Sequence, residues 1–242
     1  KKGVWHRASM DGKRSRIDQT FNHQLWFAAC SSKLLMFDGI HNTSVKKDIT
    51  QFMDSLAVNM TTYPSGLIFH AIPKKLDFRS RIAHYARNFI SNTRGFVDSY
   101  KLYSNHLGRV YNLYWKSIGY HSFNLQAFCS LHDGELGNHE FWHSDMFNKI
   151  LEYSVSNKFR SLLLLEQPFG YAYNLSGFEL IRFYSYFKLD VDSKKLQEIF
   201  ELQLSNIQKE LVKKESDHKT IKARYHELAL IDKNVLHLLK VK

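Results

Sequence analysis

This chain is poor in the residues that staple or break small folds. Of 242 residues, only two are cysteine and three are proline. Two cysteines build no disulfide framework. Cys30 and Cys129 each sit in an apolar helical run and read as small buried residues. Scarce proline lets helices run long. No apolar stretch is long enough to span a bilayer and no secretory leader is visible. Membrane insertion is therefore not expected, and a cytoplasmic location is favoured. No P-loop, no G-x-G-x-x-G and no G-x-S-x-G elbow occurs, which removes the usual sequence signals for nucleotide binding and serine hydrolysis. The chain reads as one domain, residues 1–242, and its opening on Lys1-Lys2-Gly3 without a methionine leaves open that an N-terminal portion precedes it.

What is abundant is aromatic and basic. Aromatic residues make up 14% of the chain, and 34 Lys and Arg face 23 Asp and Glu, a formal net charge of +11. Flat rings suit packed helices and flat-faced ligands such as sugars. A basic chain attracts nucleic acid, anionic membrane or acidic polysaccharide. No basic stretch interleaved with aromatics appears, so nucleic acid is not an expected partner. An anionic oligo- or polysaccharide is.

The densest sequence lies at Ser15–Ala29, SRIDQTFNHQLWFAA. Ile17, Phe21, Leu25, Ala28 and Ala29 recur at helical spacing, which predicts a buried helix over about 18–37. Its polar head carries Asp18, Asn22, His23 and Trp26, and must open into a cavity or be satisfied inside the fold. Lys1–Arg16 reads as a loop with a turn at Asp11-Gly12. Further helices are expected at about 45–60, 78–91, 97–115, 120–131, 140–156, 176–188, 193–213 and 217–239, with an extended, hairpin-like connection at 61–73.

Phe21-Asn22-x-Gln24 returns as Phe123-Asn124-x-Gln126. Similar helix starts near Phe78, Ser176 and Thr220 give a period of roughly fifty residues, the mark of a repeated helical hairpin. Apolar helices would line the inside and charged ones the outside. The expected fold is all-α, an α/α toroid that is incomplete or truncated; an open superhelical array is the alternative.

In a ring of hairpins, the starts of the inner helices make one rim. Three starts are rich in polar residues: Arg14–Trp26, Tyr120–Asn124 and Tyr171–Glu179. Helix starts need caps and first-turn acids in any fold, but three such starts at one end point to a shared pocket. Its carboxylates would be Asp18 and Glu179, with Asp11 on a loop. Trp26 and Tyr173 would stack on a sugar ring. Arg14, Arg16, Asn22 and His23 would meet a carboxylate or hydroxyls, and Tyr120, His121, Asn124, Tyr171 and Asn174 would line the remainder. Two carboxylates would serve glycoside hydrolysis, the reaction expected first. Charge neutralisation by Asn22, His23, Arg14 and Arg16, with Tyr120, Tyr173 or His121 as proton acceptor, would serve β-elimination. A glycan-binding scaffold is the non-catalytic reading. His139-Glu140-Phe141-Trp142-His143 matches H-E-x-x-H by letter, but its helix reads as an outer one with no evident third ligand. No metal and no cofactor is expected.

SRIDQTFNHQLWFAA, IGYHSFNLQAF and GYAYNLSGFEL resemble the α/α-toroid, glycosidase-like or heparinase-like proteins of surface-glycan and archaeal N-glycosylation gene clusters. The resemblance runs from about Arg14 onward. It implies a six-hairpin-type toroid and a carbohydrate substrate. Asn22-His23 with Trp26 is also similar to the NNHxYW segment of toroid alginate lyases, where Asn and His neutralise a uronate and assist proton removal. Here Phe21 and Leu25 replace that segment's first Asn and its Tyr, so a lyase tyrosine would have to come from Tyr120 or Tyr173.

Overall fold

The computed structural model describes residues 3–36, 43–72, 113–165, 169–170, 174–213 and 218–239. A short antiparallel hairpin comes first. β1 (His6–Ala8) pairs with β2 (Arg14–Ile17), with His6 opposite Ile17, Ala8 opposite Arg14, and a bulge between those pairs. Helices α1 (Phe21–Leu34), α2 (Thr43–Asp54) and the single turn α3 (Leu56–Asn59) follow. Residues 113–119 are helical and lead into α4 (His121–His132). Two 3-10 turns, Glu135–Asn138 and Glu140–His143, precede α5 (Asp145–Val155) and α6 (Asn157–Leu164). The chain continues through α7 (Ser176–Tyr186), α8 (Ser193–Leu211), α9 (His218–Arg224), a 3-10 segment (Tyr225–Leu230) and α10 (Lys233–Leu238).

The core is a row of helices. α1 packs on α4, α4 on α7 and α7 on α8. α4 is the centre: from His121 to Leu131 every residue is buried except Phe123, which is partly exposed. Apolar and small side chains cover most of its surface, as expected of a helix surrounded by protein, with His121, Asn124 and Gln126 buried among them. α7 is likewise buried from Ser176 to Tyr184, whereas the outer helices are one-sided. α2 buries Ile49, Phe52 and Met53, α5 buries Phe147, Ile150 and Tyr153, and α8 buries Ile199, Phe200 and Ile207. Phe128 of α4 meets the rings of Phe141, Trp142 and Phe147 at 5.7, 5.8 and 5.8 Å. Side-chain caps fix several starts: Ser144 accepts from Phe147 N–H, Ser156 from Phe159 N–H, Asp192 from Lys194 N–H, each satisfying a backbone donor that the first turn leaves open.

The described residues are mostly helical, in line with the all-α expectation. α1 meets α4 directly, although the helix start expected near Phe78 lies between them in sequence. The helices expected at 78–91 and for most of 97–115 lie outside the described residues. Several boundaries differ from expectation. The loop assigned to the first sixteen residues contains the β-hairpin. The first helix starts at Phe21, so Asp18 precedes it; its carboxylate accepts the Thr20 N–H at 2.9 Å. The helix expected over 140–156 begins as a 3-10 turn because Ser144 starts a new helix with its own cap. The last expected helix breaks at the 3-10 segment and again before the Asp232 cap. Cys129 is buried as expected, but Cys30 is exposed. No helix among the described residues is long and apolar enough to cross a membrane.

Candidate active site

The starts of α1, α4 and α7 are tied together at one end. The segment after the Tyr63–Gly66 turn crosses the first two. Ile68 N–H donates to His121 Nδ1 at 3.3 Å and His70 N–H to Ser117 Oγ at 3.0 Å. Phe21 N–H, at the head of α1, donates to the His70 carbonyl at 2.9 Å, and Ile72 N–H to the Gln19 carbonyl at 2.8 Å. The third start is joined by Asn174, whose amide donates to the Gly119 carbonyl at 2.9 Å and the Phe169 carbonyl at 2.6 Å. Glycine is required at 119, because a side-chain carbon there would run into the Phe169 carbonyl.

At this end Asp18 lies between β1 and α1. Arg7 Nη2 donates to its Oδ1 at 3.0 Å and His23 Nδ1 lies 2.9 Å from its Oδ2. Burial alone would raise the Asp18 pKa. The hydrogen bonds from Arg7, His23 and Thr20 N–H outweigh it and hold the carboxyl well below the usual carboxylate range. Asp18 is therefore an ionised acceptor at neutral pH, and Nδ1 of His23 donates to it. That tautomer places the ring's lone pair on Nε2. The His23 side chain is 59% exposed, so a base with a fixed tautomer stands at the surface, oriented by a carboxylate.

Gln24 builds the setting. Its Oε1 accepts the Trp5 N–H at 2.7 Å while its Nε2 donates to the Trp5 carbonyl at 2.8 Å and the Asp18 carbonyl at 3.1 Å. One buried side chain thus fixes the backbone ahead of β1 and the backbone of Asp18.

An aromatic and basic wall lies beside this group. The Tyr120 ring is 5.0 Å from His70 and 6.2 Å from both Phe123 and Phe169. Trp26 stacks on Phe123 at 4.5 Å. Lys116 Nζ sits 5.4 Å from the centre of the Phe169 ring, within cation–π reach. Burial pushes His70 down to about 4, and the charges of Lys116 and His23 add to that shift. His70 is neutral at pH 7.

The other expected residues divide. Asn22 and Asn124 are buried on α1 and α4, and Arg14 is exposed on β2, opposite Ala8. Arg16 forms part of β2. Tyr171 and Tyr173 lie outside the described residues. Glu179 is fully buried on α7 and is not part of the Arg7–Asp18–His23 group. His121 is a core residue: wholly buried, its pKa lowered by burial to about 3, with the rings of Tyr153 and Phe159 edge-on at 5.4 and 4.8 Å. The H-E-x-x-H letters fall on the 3-10 turn, where His139 caps Phe141 N–H and its Nε2 meets Asp54 at 3.2 Å. Among the described residues no cluster of three His, Cys, Asp or Glu is placed to hold a metal. Arg7 and His70 were not legible as site residues: Arg7 meets Asp18 across eleven positions, and His70 sits in the apolar run Leu67–Ile72.

Over 179 residues, 73% of its length, the chain is 35% identical to a Haloferax volcanii protein named archaeal glycosylation protein Q. It is homologous to a glycosylation protein. The match covers 46% of that protein, so the chain spans about half the length of this relative. No family model matches the chain, and no solved structure matches it.

Proposed function

We propose that this chain serves glycosylation by acting on an acidic, uronic-acid-bearing glycan, at a rim of helix starts in an incomplete α/α toroid. The reaction we favour is β-elimination. The observation that carries it is the Arg7–Asp18–His23 group, an oriented imidazole backed by an ionised carboxylate. His23 Nε2 takes the proton at C5, the carbon next to the sugar carboxylate. The electron pair forms the C4–C5 double bond, the C4–O bond breaks, and the departing oxygen takes a proton from a neighbouring hydroxyl such as that of Tyr120. Basic groups at the rim offset the charge that builds on the carboxylate.

Two-carboxylate hydrolysis is the weaker reading. It needs a proton-holding carboxylic acid facing a second carboxylate across the substrate, whereas Asp18 is held ionised and Glu179, fully buried on α7, is not part of its group. Incubation with a panel of hexuronate oligosaccharides tests the proposal. Ultraviolet absorbance of an unsaturated uronate, appearing with new reducing ends, is the expected result. Reducing ends without absorbance would establish hydrolysis instead. Binding with no product would leave a glycan-binding scaffold.

A further inference from the structure

We infer that Arg7 is the carboxylate clamp of this site, carried on a hairpin arm and exchanged between Asp18 and the sugar acid; the inference rests on the uronate reading above. The hairpin is solvated rather than packed. His6, Arg7 and Ala8 of β1 are exposed, as is every residue from Ser9 to Arg14. Its turn is preorganised all the same. Gly12 takes the left-handed conformation, φ +76°, Gly12 N–H donates to the Ser9 carbonyl at 2.8 Å, and Ser9 N–H donates to the Lys13 carbonyl at 3.0 Å.

One irregularity marks Arg7. The pairing shifts register between His6 and Ala8, so Arg7 alone stands opposite both Ser15 and Arg16. A bulge bends its strand, increases the local twist and re-aims side chains, and bulges concentrate beside active sites. Here the extra residue lies on β2, directly across from Arg7, so the added twist acts on the ladder at the arginine that reaches the site. Just before β1, the Gln24 bracket on Trp5 fixes where the arm departs.

The chemistry fits an exchange. A guanidinium carries five donors in a planar fork matched to a carboxylate. Asp18 takes Nη2 through one oxygen, and the Arg7 side chain is 56% exposed. The Arg7 end of the pair is solvated although the Asp18 end is mostly covered, so a substrate carboxylate can reach the guanidinium and compete for it. The transfer also changes the base. With Arg7 withdrawn, Asp18 keeps the His23 and Thr20 donors but loses its nearest cation, and so holds the proton on Nδ1 more strongly.

Calorimetric binding of a hexuronate oligosaccharide and of its carboxyl-reduced counterpart tests this with the wild-type chain, Arg7→Gln and Arg7→Lys. The wild type should prefer the acidic ligand by about tenfold or more. Arg7→Gln should lose that preference yet bind the reduced ligand as the wild type does, and Arg7→Lys should recover part of it. In the wild type the carboxyl carbon resonance of Asp18 should move when the acidic ligand is added; in Arg7→Gln it should not. An undiminished preference in Arg7→Gln would overturn the clamp alone. Equal loss of both ligands in that variant would make Arg7 structural and overturn it too. A wild type that binds neither ligand would overturn the uronate reading and the clamp with it.

Discussion

Trp26 lies nearly flat on Phe123, with ring centroids 4.5 Å apart and planes 27° from parallel, and its indole N–H donates to the Phe123 carbonyl at 3.1 Å. The contact joins α1 to α4 beside the candidate site and holds Tyr120 and His23 on adjoining helices. Trp26→Ala removes a stack, a hydrogen bond and part of a buried surface. It should cost about 3 kcal/mol, read as a lower midpoint in urea unfolding. Trp26→Phe should recover the stack but not the hydrogen bond and fall between.

The proposed elimination gives Asp18 and His23 paired roles with distinct demands. His23→Gln removes the base. Asp18→Asn leaves a neutral amide whose oxygen still accepts from Nδ1, but it no longer stabilises the imidazolium. Each substitution should lower turnover of a uronate substrate by about a hundredfold or more, and the double variant should be little worse than either single one because the two act as a unit. Unchanged turnover in a folded Asp18→Asn variant would remove Asp18 from the mechanism.

Helical spacing disclosed the all-α character and the starts of α4, α7 and α8 to within a residue or two. It failed on the hairpin for a physical reason: β1 and its turn are solvated on both faces, so HRASMDGKR has no apolar alternation to find. It placed Asp18 inside a helix because Asp18 and Asn22 share helical spacing, whereas Asp18 spends its carboxylate on Thr20 N–H just ahead of the first turn. His121 read as a ligand-facing polar residue, but its Nδ1 is satisfied by Ile68 N–H, a partner supplied from fifty-three positions away. Cys30 looked buried because its neighbours Ala28 and Ala29 are, yet it falls on the exposed side of α1. The Asp18–His23 pair was foreshadowed, since both stood out in one polar helix head; its third member came from a segment that composition reads as loop.

Acid should destabilise the fold in two steps. His70 has a folded pKa of about 4 and His121 of about 3, both below the ordinary 6.5 because burial disfavours the charged ring. Below pH 6.5 the unfolded chain takes up protons that the native histidines refuse, so stability falls as pH drops toward 4. Asp18 acts lower still: its depressed pKa gives stability that is complete above the ordinary carboxylate value and is lost as pH falls beneath it. His70→Phe keeps a ring against Tyr120 and removes one titrating group. Urea unfolding at pH 7.5, 5.5 and 4.5 should show a shallower loss in that variant, by on the order of 3 kcal/mol between the extremes. An unaltered slope would mean that His70 does not titrate with unfolding.

The two copies of Phe-Asn-x-Gln put the same residue types to unequal use. Gln24 of α1 makes three hydrogen bonds, two to the backbone of Trp5 and one to that of Asp18. Gln126, its counterpart on α4, is 1% exposed, and neither end of its amide has a hydrogen-bond partner among the described residues. A buried amide with no partner is a net cost, whereas one that satisfies backbone groups is a gain whose removal strands them. Gln24→Leu should therefore destabilise the fold by about 2 kcal/mol or more and free the hairpin, seen as faster amide exchange across β1 and β2. Gln126→Leu, nearly the same in volume, should be neutral or stabilising by about 1 kcal/mol. If Gln126→Leu instead abolishes glycan turnover in a stable chain, the second copy of the motif serves the substrate, and the site extends from the α1 start along α4.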